Sequence, residues 1–112
     1  MNEQERLKHC AISKNKKYFE NKDRQQYQKI LKKKIITSTT YNHQIHMGTV
    51  LRILREEFGL SQDELGAYLN LKRQTISSWE NNNTFPEIKT VIELANFFQI
   101  SLDLLFFRKD YL

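Results

Sequence analysis

The chain has 112 residues, a single cysteine and a formal net charge of +5. This length leaves room for one small core and argues against a multidomain enzyme, while one cysteine excludes an internal disulfide. No apolar run is long enough for a signal peptide or a membrane span, so we expect a soluble, cytoplasmic protein.

The positive charge is concentrated in residues 1–47, which contain 11 Lys and Arg against 4 Asp and Glu, whereas residues 48–112 contain 7 against 9. Residues 1–47 have no strong hydrophobic period, which permits one or two helices, and the run ILKKKIITSTTY predicts a short extended segment or linker. We expect a basic N-terminal extension that is partly helical or disordered. Its charge is consistent with a solvated arm, with DNA binding and with a protein partner.

Helical periodicity begins at Gly48. In GTVLRILREEFG the apolar residues recur at helical spacing, and Gly59 follows at the place of a left-handed C-cap. In LSQDELGAYLN the pair Ser61 and Glu64 predicts a capping box. The start of a second helix is therefore well specified.

The second helix is followed by a sharp turn. Gly66 inside this helix costs about 1 kcal/mol relative to alanine, which indicates that another helix approaches closely. Asn70 tolerates the left-handed conformation and marks the turn itself. A third helix then covers roughly residues 72–81, with Ile76 and Trp79 on one side.

Two further short helices complete this half of the chain. Asn82 predicts a left-handed cap after the third helix, and Pro86 follows shortly beyond it. The fourth helix has an apolar inner face, and Ser101 can cap a short fifth helix. The inner face consists of Val91, Leu94, Ala95 and Phe98. Residues 48–112 are thus predicted to form a compact all-α domain of five helices.

Several motifs occur together between Gly48 and Leu105: LRxLREExGLSQDEL, a small residue at 66, the turn at 70, RQTISSWE, Pro86 and FFQISLDLL. In this combination they resemble the helix-turn-helix family of phage repressors and Cro, often called Xre-like regulators. The resemblance implies a transcriptional regulator of the repressor kind that binds double-stranded DNA in a sequence-specific way, usually as a homodimer. Its third helix, Lys72 to Asn81, would lie in the major groove.

The chain departs from the family pattern at two positions. Asn70 stands where the family often has glycine, which is a mild change. Lys72 stands where the family often has a Ser or Thr cap, and the loss of a capping oxygen costs roughly 0.5–2 kcal/mol. A cation at this helix end opposes the dipole, so a phosphate or guanine partner would explain Lys72; the alternative is a solvated lysine.

The outer face of the third helix contains the candidate DNA contacts. This face is rich in Ser and Asn, which are poor helix formers. Their presence favours a surface that contacts a ligand over one that is only solvated. Arginine can pair with guanine and glutamine with adenine. The candidate base contacts are Lys72, Arg73, Gln74, Ser77 and Ser78. The candidate phosphate contacts are Asn81, Asn83 and Thr84, together with Gln62, which the resemblance places against a phosphate at the start of the second helix. Asn83 and Thr84 are equally consistent with simple turn residues.

Other residues are expected to support the recognition helix or to form an interface. The resemblance implies that Glu80 pairs with Arg55, which would orient the third helix rather than contact DNA. The remaining structural candidates are Gly66, Asn70, Ile76 and Trp79. Exposed aromatic groups mark interfaces. The dimer-interface candidates are Phe106, Phe107, Tyr111 and Leu112, and the alternative is that they pack beneath the extension.

No catalytic or metal-binding pattern is present in the sequence. His43 and His46 lack further metal ligands, and Cys10 lacks a partner for nucleophilic catalysis. We therefore expect no enzyme, no metal site and no cofactor. The alternative function is an antitoxin-type protein-interaction module that autoregulates through the same domain. Residues 47–112 would make a complete small regulator by themselves, which leaves three interpretations of the residues before Met47: an extended translation product, a DNA-tracking tail or a folded partner-binding unit.

Overall fold

The computed structural model describes residues 1–20, 22–38 and 47–106. These residues form seven helices and no strand, which confirms the all-α prediction. The helices are α1 (Glu3–Phe19), α2 (Arg24–Ser38), α3 (Met47–Glu57), α4 (Gln62–Leu69), α5 (Arg73–Glu80), α6 (Ile88–Phe98) and α7 (Leu102–Leu105). The described part thus has seven helices rather than five, because the extension contributes α1 and α2.

The local signals at α3 and α4 form the caps that the sequence predicts. Ser61 Oγ accepts from the Glu64 backbone N–H at 3.0 Å, and Glu64 Oε1 accepts from the Ser61 backbone N–H at 2.8 Å. Gly59 and Asn70 both have left-handed backbones, with φ of 71° and 59°. The capping box and both turns are therefore confirmed.

Two glycines permit close approaches around α5. A Cβ at Gly66 would lie 2.8 Å from the carbonyl oxygen of Leu71, so the close neighbour is the turn that leads into α5. A Cβ at Gly48 would overlap the Trp79 carbonyl oxygen and lie 2.6 Å from Asn82 Oδ1. The start of α3 therefore packs directly on the end of α5.

The prediction of an extended segment in ILKKKIITSTTY is wrong, because α2 continues to Ser38. Tyr27, Leu31 and Ile35 recur every four residues along α2, and all three are buried. This packing outweighs the strand preference of the β-branched residues that follow. The remaining residues of the segment, and His43 and His46 with them, lie outside the described residues.

Helix α1 packs across α4 and fixes the extension to the rest of the molecule. Ala11 is fully buried, and Lys14 Nζ donates to the Gly59 carbonyl at 2.8 Å and to Glu64 Oε1 at 2.9 Å. Farther along α1, the Tyr18 ring stacks on Phe58 with 4.0 Å between ring centroids. Apolar residues of the extension and of α3 to α7 thus belong to one core.

The extension also provides hydrogen bonds to the end of α6. The last carbonyls of a helix have no partner within it. Here Asn15 Nδ2 donates to the Phe97 carbonyl at 2.7 Å, and Gln28 Nε2 donates to the Gln99 carbonyl at 3.1 Å. The Tyr27 hydroxyl donates to the carbonyl of Phe98. Both helices of the extension therefore take part in terminating α6.

The predicted inner face of α6 is buried, and the predicted cap of α7 is present. Val91, Leu94, Ala95 and Phe98 face the core from α6. In α7, Leu104 and Leu105 are both buried, and Ser101 Oγ caps the helix by accepting from the Leu104 N–H at 3.2 Å. Among the described helices, none has the length and apolar character needed to cross a membrane.

Candidate nucleic-acid interface

Helix α5 has one buried face and one polar face. Ile76 and Trp79 are buried on the inner side. Lys72, Arg73, Gln74 and Asn81 are exposed on the outer side, and Ser77 and Ser78 are half-buried between them. The polar face is therefore open to a ligand along most of its length.

A buried ion pair holds the end of α5 against α3. Glu80 is only 4% exposed, and its carboxylate accepts from Arg55 Nε at 2.6 Å and from Arg55 Nη2 at 3.0 Å. Arg55 Nη1 also donates to the Leu60 carbonyl at 2.7 Å. The hydrogen bond to Glu80 raises the pKa of Arg55 above its ordinary value. The expected contact between Arg55 and Glu80 is thus present.

Gln62 joins this pair from the start of α4. Its Nε2 donates to Glu80 Oε1 at 3.1 Å, and the residue is half-buried. One amide hydrogen is thereby engaged, and the second remains for another acceptor. The side chain proposed to contact a phosphate is therefore also a link between α4 and α5.

The residues after α5 turn the chain through side-chain hydrogen bonds. Ser78 Oγ and Thr84 Oγ1 are hydrogen-bonded at 2.7 Å, and Asn81 Nδ2 donates to Ser77 Oγ at 3.4 Å. Asn82 has a left-handed backbone, with φ of 60°, and its Oδ1 accepts from the Gly48 N–H at 3.2 Å. The second half of the polar face is therefore internally hydrogen-bonded, with Asn83 and Thr84 exposed at its end.

The first half of the polar face has no such bonds. The side chains of Lys72, Arg73 and Gln74 make no hydrogen bond or ion pair within the described part of the chain. Lys72 occupies the N-cap position, with extended backbone and no side-chain cap bond. We call these three residues the reading end, because the sequence predicts base contacts for them and their polar groups have no partner in the described part of the chain.

A cleft of about 430 Å³ lies beside the reading end. Its lining residues are Gln4 and Leu7 of α1, and Asp63, Asn70, Leu71, Lys72, Arg73 and Gln74. The first turns of α1 thus border α5. Gln4 cannot be identified from the sequence alone, since no clear period in residues 1–47 indicates which face of α1 is packed.

The predicted dimer-interface residues lie at the C-terminal end of the chain, and most of them are outside the described residues. Phe106 is exposed after α7, and Leu102, four residues earlier, is also exposed. Phe107, Tyr111 and Leu112 lie outside the described residues. Within residues 1–20, 22–38 and 47–106, no three His, Cys, Asp or Glu residues are grouped as a metal site would require.

Residues 51–105 match the helix-turn-helix family model. This part of the chain belongs to the helix-turn-helix family. The match runs from within α3 to the end of α7 and confirms the resemblance to phage repressors and Cro. The helix-turn-helix domain is accordingly that of a DNA-binding transcriptional regulator. No curated protein and no solved structure matches the chain.

Proposed function

We propose that the protein is a sequence-specific repressor that reads the major groove of an operator with α5. One observation carries this proposal. The side chains of the reading end have no partner among the described residues, while the other end of α5 is held against α3 by the ion pair between Arg55 and Glu80. Arg73 has the fork of donors that guanine accepts, and Gln74 has the donor and acceptor that adenine matches. A fixed helix with free base-reading groups is suited to discriminate sequences.

The neighbouring polar residues would position the helix on the DNA backbone. Gln62 keeps one free amide hydrogen near the start of α4, where a phosphate is electrostatically favoured. Asn81, Asn83 and Thr84 are exposed where the chain leaves α5. Ser77 and Ser78 are half-buried and can supplement base readout with hydroxyl groups.

A repressor acts by occupying the operator and needs no further chemistry. One such domain covers a short half-site, so a homodimer on a two-fold operator would supply the affinity of a specific complex. Leu102 and Phe106 are spaced by four residues and both are exposed, which supports an interface near the C-terminus. Phe107, Tyr111 and Leu112 remain candidates for the same interface.

The alternative is an antitoxin-type module that binds a protein partner through the extension and autoregulates through the helix-turn-helix domain. The extension contributes buried residues to the common core and is not a free arm, which favours the regulator. Co-purification with the product of a neighbouring gene would support the antitoxin. The two functions therefore predict different partners for residues 1–47.

A mobility-shift titration with DNA flanking the gene tests the main proposal. We expect a specific complex that survives competitor DNA and is weakened by Arg73→Ala and by Gln74→Ala. Each lost bidentate base contact should cost about 1–3 kcal/mol. Exposed Lys89 on α6 provides Lys89→Ala as a matched surface control. Wild-type protein that binds all DNA equally would contradict the proposal.

Lys72→Ser tests the lysine at the N-cap. Serine can supply the missing capping oxygen, so the free energy of unfolding should rise by about 0.5–2 kcal/mol. If Lys72 meets a phosphate, operator affinity should fall and the salt slope should decrease by about 1. A stabilised variant with unchanged DNA binding would assign Lys72 to solvent. Urea unfolding and titrations at several salt concentrations provide both measurements.

A further inference from the structure

The surface beside α5 includes a residue from outside the helix-turn-helix domain. Gln4 lines the same cleft as Arg73 and Gln74, although it lies before the segment that matches the family. Gln4 is exposed, and its side chain has no hydrogen-bond partner among the described residues. Its amide donor and acceptor are therefore as free as those of the reading end.

The direction of α1 follows from its contacts. Gln4 and Leu7 lie beside the reading end, Lys14 bonds the Gly59 carbonyl, and Tyr18 donates to Glu57 Oε1 at 2.9 Å. Helix α1 thus runs from the reading end towards the end of α3. Because Lys14 and buried Ala11 anchor the helix on α4, its first turn is held in place.

We propose that Gln4 is a specificity-determining residue that reads one base pair at the edge of the operator half-site. The proposal rests on the proposed function, because DNA must enter the groove facing Arg73 and Gln74. A DNA segment that meets these two side chains would also pass the opening of the cleft that Gln4 borders. The first turn of α1 then extends the reading surface beyond α5.

The charged neighbours of Gln4 are of both signs. Glu3 and Glu5 flank Gln4 by about 100° on either side of the helix. Both carboxylates are exposed. Glu3 Oε1 lies 3.4 Å from Nη2 of Arg6, which is also exposed. A phosphate at Gln4 would lie near these two carboxylates but also near Arg6, Lys72 and Arg73, so the local charge does not by itself exclude a phosphate. The proposal of a base edge rests on the glutamine amide, whose donor and acceptor match adenine.

The test compares Gln4→Ala with Gln26→Ala in the full chain. Gln26 is an exposed glutamine on α2 and serves as the matched control. Fluorescence anisotropy with operator duplexes would measure affinity with each of the four base pairs at positions just outside those read by Arg73 and Gln74. We expect Gln4→Ala to weaken binding by about five- to a hundredfold when adenine is present. The salt slope should not change, because glutamine carries no charge.

Four outcomes would overturn the inference. These are unchanged binding by Gln4→Ala, the same loss with all four base pairs, the same loss in Gln26→Ala, and tighter binding by Gln4→Ala. The last would indicate that α1 obstructs the DNA. Circular dichroism of each variant checks that α1 remains folded. If Arg73→Ala weakens binding and Gln4→Ala does not, only this inference fails; without specific binding by wild-type protein, the proposed function fails as well.

Discussion

Glu80 is a buried carboxylate whose position fixes the orientation of α5. Its oxygens receive two bonds from Arg55 and one from Gln62, so its charge is well compensated. Removing one partner of a buried ion pair leaves the other charge uncompensated. The resulting loss of stability is larger than the net stabilisation that the intact pair provides. Glu80 therefore links α5 to α3 and α4, and we expect it to support the proposed reading surface rather than to contact DNA.

Glu80→Ala should lower the free energy of unfolding by about 3–5 kcal/mol, since it leaves the largely buried Arg55 guanidinium with only the exposed Glu56 carboxylate, at 3.9 Å, as a counter-charge. The base preference of the molecules that remain folded should be unchanged. Urea unfolding measures the first effect, and titrations with operator variants at low temperature measure the second.

Glu93→Ala is the control for this prediction. Glu93 is exposed on α6 and makes no ion pair within the described part of the chain, so its loss should leave stability nearly unchanged. A Glu80→Ala protein that melts like wild type but no longer binds DNA would mean that Glu80 contacts the operator.

Single residues differ in how far the sequence determines their environment. The capping box at Ser61 could be predicted because its partners are three residues apart. The pairing of Arg55 with Glu80 could be expected only from the family resemblance, since 25 residues separate the two. The close approach at Gly48 could not be predicted, because the Trp79 carbonyl that it meets is distant in sequence.

At the scale of elements, Glu64 connects α1 with α4. Its carboxylate closes the capping box and also accepts from Lys14 Nζ at 2.9 Å. Burial by itself raises the pKa of Glu64, but hydrogen bonds from the Ser61 backbone, Lys14 and Cys10 outweigh it and hold the pKa below its ordinary value. At Glu57, burial also raises the pKa, but the hydrogen bonds from Lys34 and Tyr18 outweigh it and lower the pKa below its ordinary value. Both carboxylates join the extension to the helix-turn-helix domain.

These lowered pKa values predict a loss of stability in acid. A carboxyl whose pKa is lower in the folded state contributes stability above its unfolded pKa, and loses it as the pH falls through the folded value. The free energy of unfolding should therefore decrease as the pH falls below the ordinary carboxyl value of 4.5. Denaturant midpoints between neutral pH and pH 3 would measure this decrease.

Lys14→Met should flatten this pH dependence, because methionine keeps an apolar stem but cannot donate to Glu64. Lys16→Met is the matched control, since Lys16 is exposed on the same helix and has no ion-pair partner among the described residues. If the Lys14→Met and Lys16→Met curves ran parallel to that of wild type, the Lys14 contact would not be the source of the effect.

The sequence pattern does not predict that α2 is a helix. Its run of lysines and β-branched residues gives a weak period, so only the contacts of Tyr27, Leu31 and Ile35 with the rest of the core explain why it is helical. By contrast, α3 to α7 could be predicted because each has caps or a regular apolar face. The positions of α1 and α2 depend on tertiary contacts that local spacing does not encode.

At the scale of the whole molecule, the extension and the helix-turn-helix domain share one core. Ala11, Tyr27, Leu31 and Ile35 are buried together with residues of α3 to α7. Burial of a large apolar side chain contributes about 1.5–3 kcal/mol, whereas the net stability of a domain is about 5–15 kcal/mol. We therefore expect residues 47–112 to be insufficient for a stable regulator, contrary to the expectation from the sequence.

Deletion of residues 1–46 should leave a fragment that is largely unfolded at 25 °C. The fragment loses these buried side chains together with the donors to the Phe97, Phe98 and Gln99 carbonyls. Circular dichroism and thermal melting would measure the loss. In the full chain, Leu31→Ala should cost about 2–5 kcal/mol for the same reason. A cooperatively folded, DNA-binding fragment 47–112 would contradict both the prediction and its basis.

The direction of α1 also determines where a reporter can be attached. The helix carries the chain about 20 Å from Gln4, beside the reading end, to Tyr18, beside Glu57. A purification tag or fluorophore joined before Asn2 would therefore sit next to the proposed DNA-binding surface, and we expect it to hinder DNA binding there. A label at exposed Lys17, near the other end of the same helix, would leave the groove clear while reporting on the same rigid element.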